Sequence, residues 1–120
     1  MASSTVRVMD CKEPWYSLLR TGVKPVEGRK ATPRWSDMKV GEIFIIRNND
    51  DHKLFFNAKI TRINIYPAPG ALNAYLEGET LSRTLPGIDT IEDAIKAYSI
   101  IGSNDDIDNY GMMGITILVV

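Results

Sequence analysis

The sequence holds one cysteine, Cys11, and one histidine, His52. No internal disulfide can form, and this composition fits a reducing, intracellular setting, cytoplasmic or nuclear. With one member of each class there is no cluster from which a zinc site is built, so neither metal nor cofactor is expected. No apolar run approaches the roughly 20 residues that cross a membrane, and the start MASSTVRVMD lacks the apolar stretch of a signal peptide. There is no glycine-rich phosphate loop, no internal repeat and no low-complexity tract. No Ser or Cys motif accompanies His52, which leaves a nucleophile relay without support. The acidic stretch Asp105 to Asp108 lacks the glycine and terminal glutamate of a calcium loop.

What remains is an ordinary globular composition, 44% hydrophobic and 24% charged over 120 residues. That is enough for a single domain, residues 1–120, with one sizeable core. The net charge of −1 conceals an asymmetry. Residues 1–62 carry 12 Lys or Arg against 7 Asp or Glu, whereas residues 63–120 carry 2 against 8. A basic first half permits a positive face on a neutral protein.

Alternation over Thr5–Cys11 predicts a first strand. Pro14, at a first helical position, and Gly22, at a helical stop, bracket a helix of about two turns, with Trp15, Leu18 and Leu19 on one face. After it, period two puts Val26 and Gly28 on one side and Glu27 and Arg29 on the other. Residues 32–37 read as a loop, Glu42–Arg47 as a buried strand, 48–51 as a turn and Lys53–Tyr66 as a long strand. In that strand Ala58, Ile60 and Ile63 or Ile65 point inward, and the phase slips near Arg62 as at a bulge. Residues 71–76 read as a short helix. Asp89 to Ile101 has a capping-box spacing at Asp89 and Glu92 and an apolar stripe, Ile91, Ala94, Ile95, Tyr98 and Ile101. Residues 103–109 read as a polar loop, and Tyr110–Val120 as a terminal strand that must be buried and paired. The order predicts an α+β fold: a small, mostly antiparallel barrel or strongly curved sheet with short helices at its ends.

Chemistry concentrates in residues 13–35. Lys24 follows the helix stop and suits anchoring a phosphate or, if desolvated, acting as a base. Glu27 and Arg29 lie about 7 Å apart on one strand face. They read as a solvated ion pair, or as a site in which Glu27 accepts a hydrogen bond from a ligand and Arg29 holds a planar or anionic group. Aromatics interleave with the cations Arg20, Lys30 and Arg34. Trp15 reads as core, while Trp35, in a Pro-Arg-Trp-Ser loop, is the candidate stacking platform for an unpaired base. Farther on, Glu77 and Glu79 fall between two weak helical segments, where a carboxylate could complete a site with Lys24. Cys11 reads as a small core residue.

The run Glu13-Pro14-Trp15, then Ser17-Leu18-Leu19 and Gly22-Val23-Lys24-Pro25-Val26-Glu27-Gly28-Arg29, resembles the signature of the ASCH family, a branch of the PUA-like superfamily. That family is named for a homology region of a transcription coactivator. Its Gly-x-Lys-x-x-Glu-x-Arg segment is matched at all four positions. Glu79 to Leu81, Leu85-Pro86-Gly87, Ile91 to Ala94, Tyr98 and the closing Tyr110-Gly111 resemble the family as well. The resemblance implies a PUA-like β-barrel with a cleft at Lys24, Glu27 and Arg29 that binds RNA, another single-stranded nucleic acid or a modified nucleoside. One bacterial branch hydrolyses the amide of acetylated cytidine with a Lys, a Thr and a Glu. By position these correspond to Lys24, Glu27 and Glu79, with Glu77 as the alternative carboxylate. Glu27 in place of a hydroxyl nucleophile weakens that amidohydrolase reading and favours binding, with a role in transcription or translation control.

Overall fold

The computed structural model describes residues 6–101 and 105–120; the side chains of residues 99–101, 105, 106 and 108 lie outside that description. The chain runs β1 (Val8–Cys11), α1 (Trp15–Arg20), β2 (Val26–Lys30), β3 (Ile43–Asn48), β4 (Phe55–Tyr66), α2 (Ala71–Glu79), α3 (Leu81–Thr84), α4 (Ile91–Ile101), α5 (Asp105–Tyr110) and β5 (Met112–Val119). Five strands form one mixed sheet in the order β1-β3-β4-β5-β2. Three of its pairings are antiparallel, but β1 pairs with β3 in parallel. The sheet is therefore a half-barrel whose two ends are β1 and β2, and the fold is α+β. Among the described residues no helix is long and apolar enough to cross a membrane.

Local chemistry explains most of these elements. Pro14 stands at the N-cap of α1, one position earlier than the first-turn site expected, and Gly22 follows the helix at φ +81°. In the long strand β4 the register against β5 shifts between Ile60 and Arg62. One extra residue, Thr61, turns every later side chain to the opposite face. Before it, Phe56, Ala58 and Ile60 are buried on one side; after it, Ile63 keeps that side while Arg62, Asn64 and Tyr66 reach the other. Ile65 is exposed.

Each face of the sheet has its own core. Met9, Phe44, Ile46, Ala58, Ile60 and Ile115 pack on one, closed by Tyr16 and Leu19 of α1. Val26 and Met112 pack on the other against Leu72, Tyr75, Leu76, Leu85 and Ala94 of the helical layer. Two glycines bring that layer close. Gly28 and Gly114 are partners across β2 and β5. A Cβ on Gly28 would overlap the Tyr75 ring, and one on Gly114 would lie 2.6 Å from Glu79 Oε2.

Three expectations need correction. The first concerns residues 71–79, where one helix carries both Glu77 and Glu79. Gly78 sits within it because a side chain there would meet the Tyr66 hydroxyl at 2.7 Å, so a residue that weakens a helix is placed by packing. Second, α4 is capped by Thr90, whose Oγ1 accepts from the Asp93 N–H at 3.1 Å, one residue after the expected Asp89 cap. Third, residues 105–110 are helical rather than a polar loop, because Ile107 is buried in the second core and anchors them. Residues 103 and 104 of that expected loop, and Thr5 of the first strand, lie outside the described residues.

Candidate ligand cavity between the first two strands

Where the half-barrel stays open, between β1 and β2, lies a cavity of about 480 Å³. That is within the usual range for small-molecule sites. Its described lining includes Lys12, Lys24, Arg29, Lys30 and Arg34, five basic side chains, against Asp10 and Glu27. Trp15, Trp35, Leu85, Tyr98 and Met112 supply apolar wall.

The inner charges are built by the corner after α1. The Lys24 N–H donates to Leu18 O, which folds the chain back beneath the helix. The Lys24 side chain is 1% exposed. Its Nζ donates to Val26 O and Thr84 O, each at 2.5 Å, and lies 3.3 Å from Glu27 Oε1. Three N–H bonds thus meet three acceptors. Burial pulls the Lys24 pKa down, and the adjacent Glu27 charge offsets part of that pull.

Glu27 is equally engaged. Oε1 also accepts from the Gly28 N–H at 3.2 Å, and Oε2 accepts from the Cys11 thiol at 3.2 Å and from Arg29 Nη2 at 3.0 Å. Burial opposes the carboxylate, but Lys24 and Arg29, with the Cys11 and Arg29 hydrogen bonds, outweigh it and hold its pKa at about 2. Arg29 Nη2 further donates to Asp10 O at 2.7 Å and approaches Cys11 Sγ at 3.2 Å. Burial pushes the Cys11 thiol well up, assisted by Glu27. The thiol at this depth is a hydrogen-bonding spacer, not a nucleophile. Asp10 receives Arg47 at both oxygens, at 2.7 and 3.0 Å.

The structure brings Lys24, Glu27, Arg29, Lys30, Arg34 and Trp35 to one cavity and leaves Arg20 outside its lining. Trp35 differs from its expected exposure. The turn after Thr32, closed by Trp35 N–H to Thr32 O, folds the indole into the core at 8% exposure. Arg34 and Arg29 stack over its ring, with Cζ 4.7 and 5.8 Å from the centroid. The indole is a wall covered by guanidinium groups, and no open platform.

Glu79 is elsewhere. It is fully buried on the helical face, accepting from Tyr66 Oη at 2.5 Å, Asn64 Nδ2 at 2.7 Å and Arg62 Nη2 at 3.2 Å. Burial works against its charge, but the Tyr66 and Asn64 hydrogen bonds and Arg62 hold its carboxyl below the ordinary range. Burial and Glu79 in turn push the Tyr66 phenol up to about 12. Between Glu79 and the cavity stand Tyr66, Tyr75 and Tyr98, edge to face, with ring centroids 5.9 and 6.0 Å apart. Tyr98 is the ring that reaches the cavity, and its hydroxyl donates to that of Tyr75 at 3.2 Å. Glu77 is exposed on α2.

Sequence reasoning missed Asp10, Lys12, Asn49 and Tyr98 as cavity residues, and the part Cys11 plays in it. Tyr98 was legible as a stripe residue of α4, and Cys11 as buried. Their meeting with β2 is long-range, and no local spacing encodes it.

Comparison with known proteins agrees with this architecture. A family model described as the ASCH domain matches residues 9–102. The crystal structure of hypothetical protein PH0355 is similar, with 26% identity and a TM-score of 0.79, over 94% of this chain and 97% of that one. The solution NMR structure of protein PF0455 from Pyrococcus furiosus has 23% identity and a TM-score of 0.72, over 97% of this chain and 98% of that one. The latter likeness is one of fold. No curated protein matches the chain.

Proposed function

The chain belongs to the ASCH domain family, and from that premise we propose that it binds RNA or a nucleotide in the cavity between β1 and β2. One observation carries the reading: five basic side chains converge on a ligand-sized cavity that also has aromatic wall. Phosphate neutralisation supplies most affinity for nucleic acid, and an enclosed apolar wall suits a base. Kinship with PUA-like barrels, an intracellular location and a role in transcription or translation control belong to the same reading.

Binding is preferred to amide hydrolysis of a modified nucleoside such as acetylated cytidine. A base needs a lone pair, and Lys24 Nζ faces three acceptors. Glu79 is held by Arg62, Asn64 and Tyr66 and is not among the cavity's lining residues. Glu27 stands where a hydroxyl would be needed. Incubation with acetylated cytidine is expected to release no cytidine.

The test is fluorescence anisotropy with a labelled single-stranded RNA across a salt series. Lys12 and Arg34 are exposed at the rim, and because Arg34 also covers the Trp35 ring, urea melts check that the K12Q/R34Q double variant keeps the fold. Its affinity should fall at least about tenfold, and the slope of log affinity against log salt should become shallower by about 1.4, at roughly 0.7 for each phosphate no longer neutralised. An unchanged affinity and slope would put the ligand elsewhere.

A further inference from the structure

Among its described lining residues the cavity has two carboxylates, and they are used differently. Glu27 is spent inside the protein. Its Oε1 meets the Gly28 N–H and Lys24 Nζ, and its Oε2 meets the Cys11 thiol and Arg29 Nη2, which together match the four acceptor sites of a carboxylate. Asp10 is not spent. Among the described residues its carboxylate has one partner, Arg47, which places an N–H on each oxygen at 2.7 and 3.0 Å. That leaves an acceptor site on each oxygen. Both side chains of the pair are 32% exposed, and a pair so placed adds little to stability. What it does is hold the carboxylate still. The main chain beneath is held as well, since Asp10 O accepts from Arg29 Nη2 at 2.7 Å. Lys12 stands two residues on, about 7 Å along the extended chain, and also lines the cavity. A bare carboxylate there would oppose a phosphate drawn to Lys12. Arg47 offsets that charge, and what remains is a fixed acceptor beside a phosphate site.

We propose that Asp10 accepts a hydrogen bond from the 2′-hydroxyl of the ligand's ribose, and that this contact makes the cavity selective for ribonucleotides over deoxyribonucleotides. The inference rests on the nucleotide-binding reading above and deepens it. The chemistry of the lining sets the order of the ligand along the cavity. Lys12 and Arg34 draw the phosphate, Trp15, Tyr98 and Met112 offer the base an apolar wall, and the sugar lies between. In an RNA strand the 2′-hydroxyl is borne on the carbon next to the one that carries the 3′-phosphate. It is therefore the donor nearest a phosphate, whereas the amino groups of the bases lie beyond the sugar. A hydroxyl that donates to a carboxylate makes one of the stronger hydrogen bonds. Because Arg47 already fixes the acceptor, little motion is frozen out when the ligand arrives. A deoxyribose offers no such donor, so its penalty combines a lost contact with a carboxylate that gives up water for nothing.

Fluorescence anisotropy on the full chain tests this with three single-stranded uridine oligonucleotides of equal length, built on ribose, 2′-deoxyribose and 2′-fluororibose. The fluoro sugar keeps the pucker of ribose but has no hydrogen to donate, so it separates the hydrogen bond from the shape of the strand. The ribose form should bind at least about tenfold tighter than either of the others. In Asp10→Ala the ratio of ribose to fluoro affinity should fall to within about threefold. A ratio that stays near tenfold would mean that Asp10 does no more than tie β1 to β3, and would overturn the proposal. Equal binding of the ribose and fluoro forms by the wild type would overturn it too, while leaving nucleotide binding intact. Should the variant lose its fold or all binding, the carboxyl carbon of Asp10 in labelled wild-type protein decides. Its resonance should move at saturation with the ribose form by more than with the fluoro form, and equal movement would refute the contact. If none of the three probes binds, the nucleotide reading fails, and this inference with it.

Discussion

Acidification should release the Glu27 carboxylate, and Glu27→Gln isolates its part. Its pKa is about 2 in the folded protein against an ordinary 4.5. A depressed pKa means the unfolded chain takes up the proton first as pH falls. The stabilisation is therefore present in full above the ordinary value and is lost on the way down to about 2. The gap corresponds to about 3 kcal/mol at neutral pH, of which about 2 kcal/mol is gone by pH 3. Asp10, Asp37 and Glu79 are also held below their ordinary values, so the wild-type protein loses stability in acid for several reasons. The informative quantity is a difference of differences. Urea melts at pH 7 and pH 3 should show a loss about 2 kcal/mol smaller in Glu27→Gln than in the wild type. The variant also leaves Lys24 facing a neutral partner, which costs about 3–5 kcal/mol for a buried pair. If it does not fold, the carboxyl carbon of Glu27 in labelled wild-type protein reports directly. That carbon titrating near 4.5, or an equal acid loss in both proteins, would refute the account of the charge cluster.

Two further outcomes follow from the backbone. Gly28→Ala should destabilise the fold by about 1–3 kcal/mol in urea melts, because the new methyl overlaps Tyr75, whose ring is bracketed by Tyr66 and Tyr98; a change under about 0.5 kcal/mol would mean the helical layer moves away freely. Thr80 joins α2 to α3 at φ +72° and ψ 146°, a conformation suited to glycine, so Thr80→Gly should raise stability by about 1 kcal/mol, and a fall in Tm would contradict the strain.

The local record in the sequence was good where chemistry is local. Gly22 ending α1, the division of Val26 and Gly28 from Glu27 and Arg29 between the two faces of β2, and the phase slip near Arg62 each depend on a few neighbouring residues, and each is observed. The convergence of Lys24, Glu27 and Arg29 was legible for the same reason: they sit at one corner and its following strand. What was illegible is non-local. The parallel pairing of β1 with β3 joins segments more than 30 residues apart and leaves no mark in either. Trp35 sits in a polar turn, yet its indole is buried, because Arg29 and Arg34 cap it and the first core receives it. Glu79 looked like a loop carboxylate, since the glycine before it disguises the helix and its three partners come from the far strand β4.

The gap between β1 and β2 has a consequence for how such a protein can change. Backbone pairing would fix two neighbouring strands about 4.8 Å apart and leave no room between them. Here the two ends of the sheet are laced by side chains: Arg29 to the Asp10 carbonyl, and Cys11 to Glu27. The aperture is thus set by the lengths of a guanidinium and a carboxylate, and not by the peptide ladder. Exchange of one lacing residue can widen, narrow or recharge the opening while the strand pairings of the sheet stay as they are. The frame and the lock are separable, and selection or design can recut one without rebuilding the other.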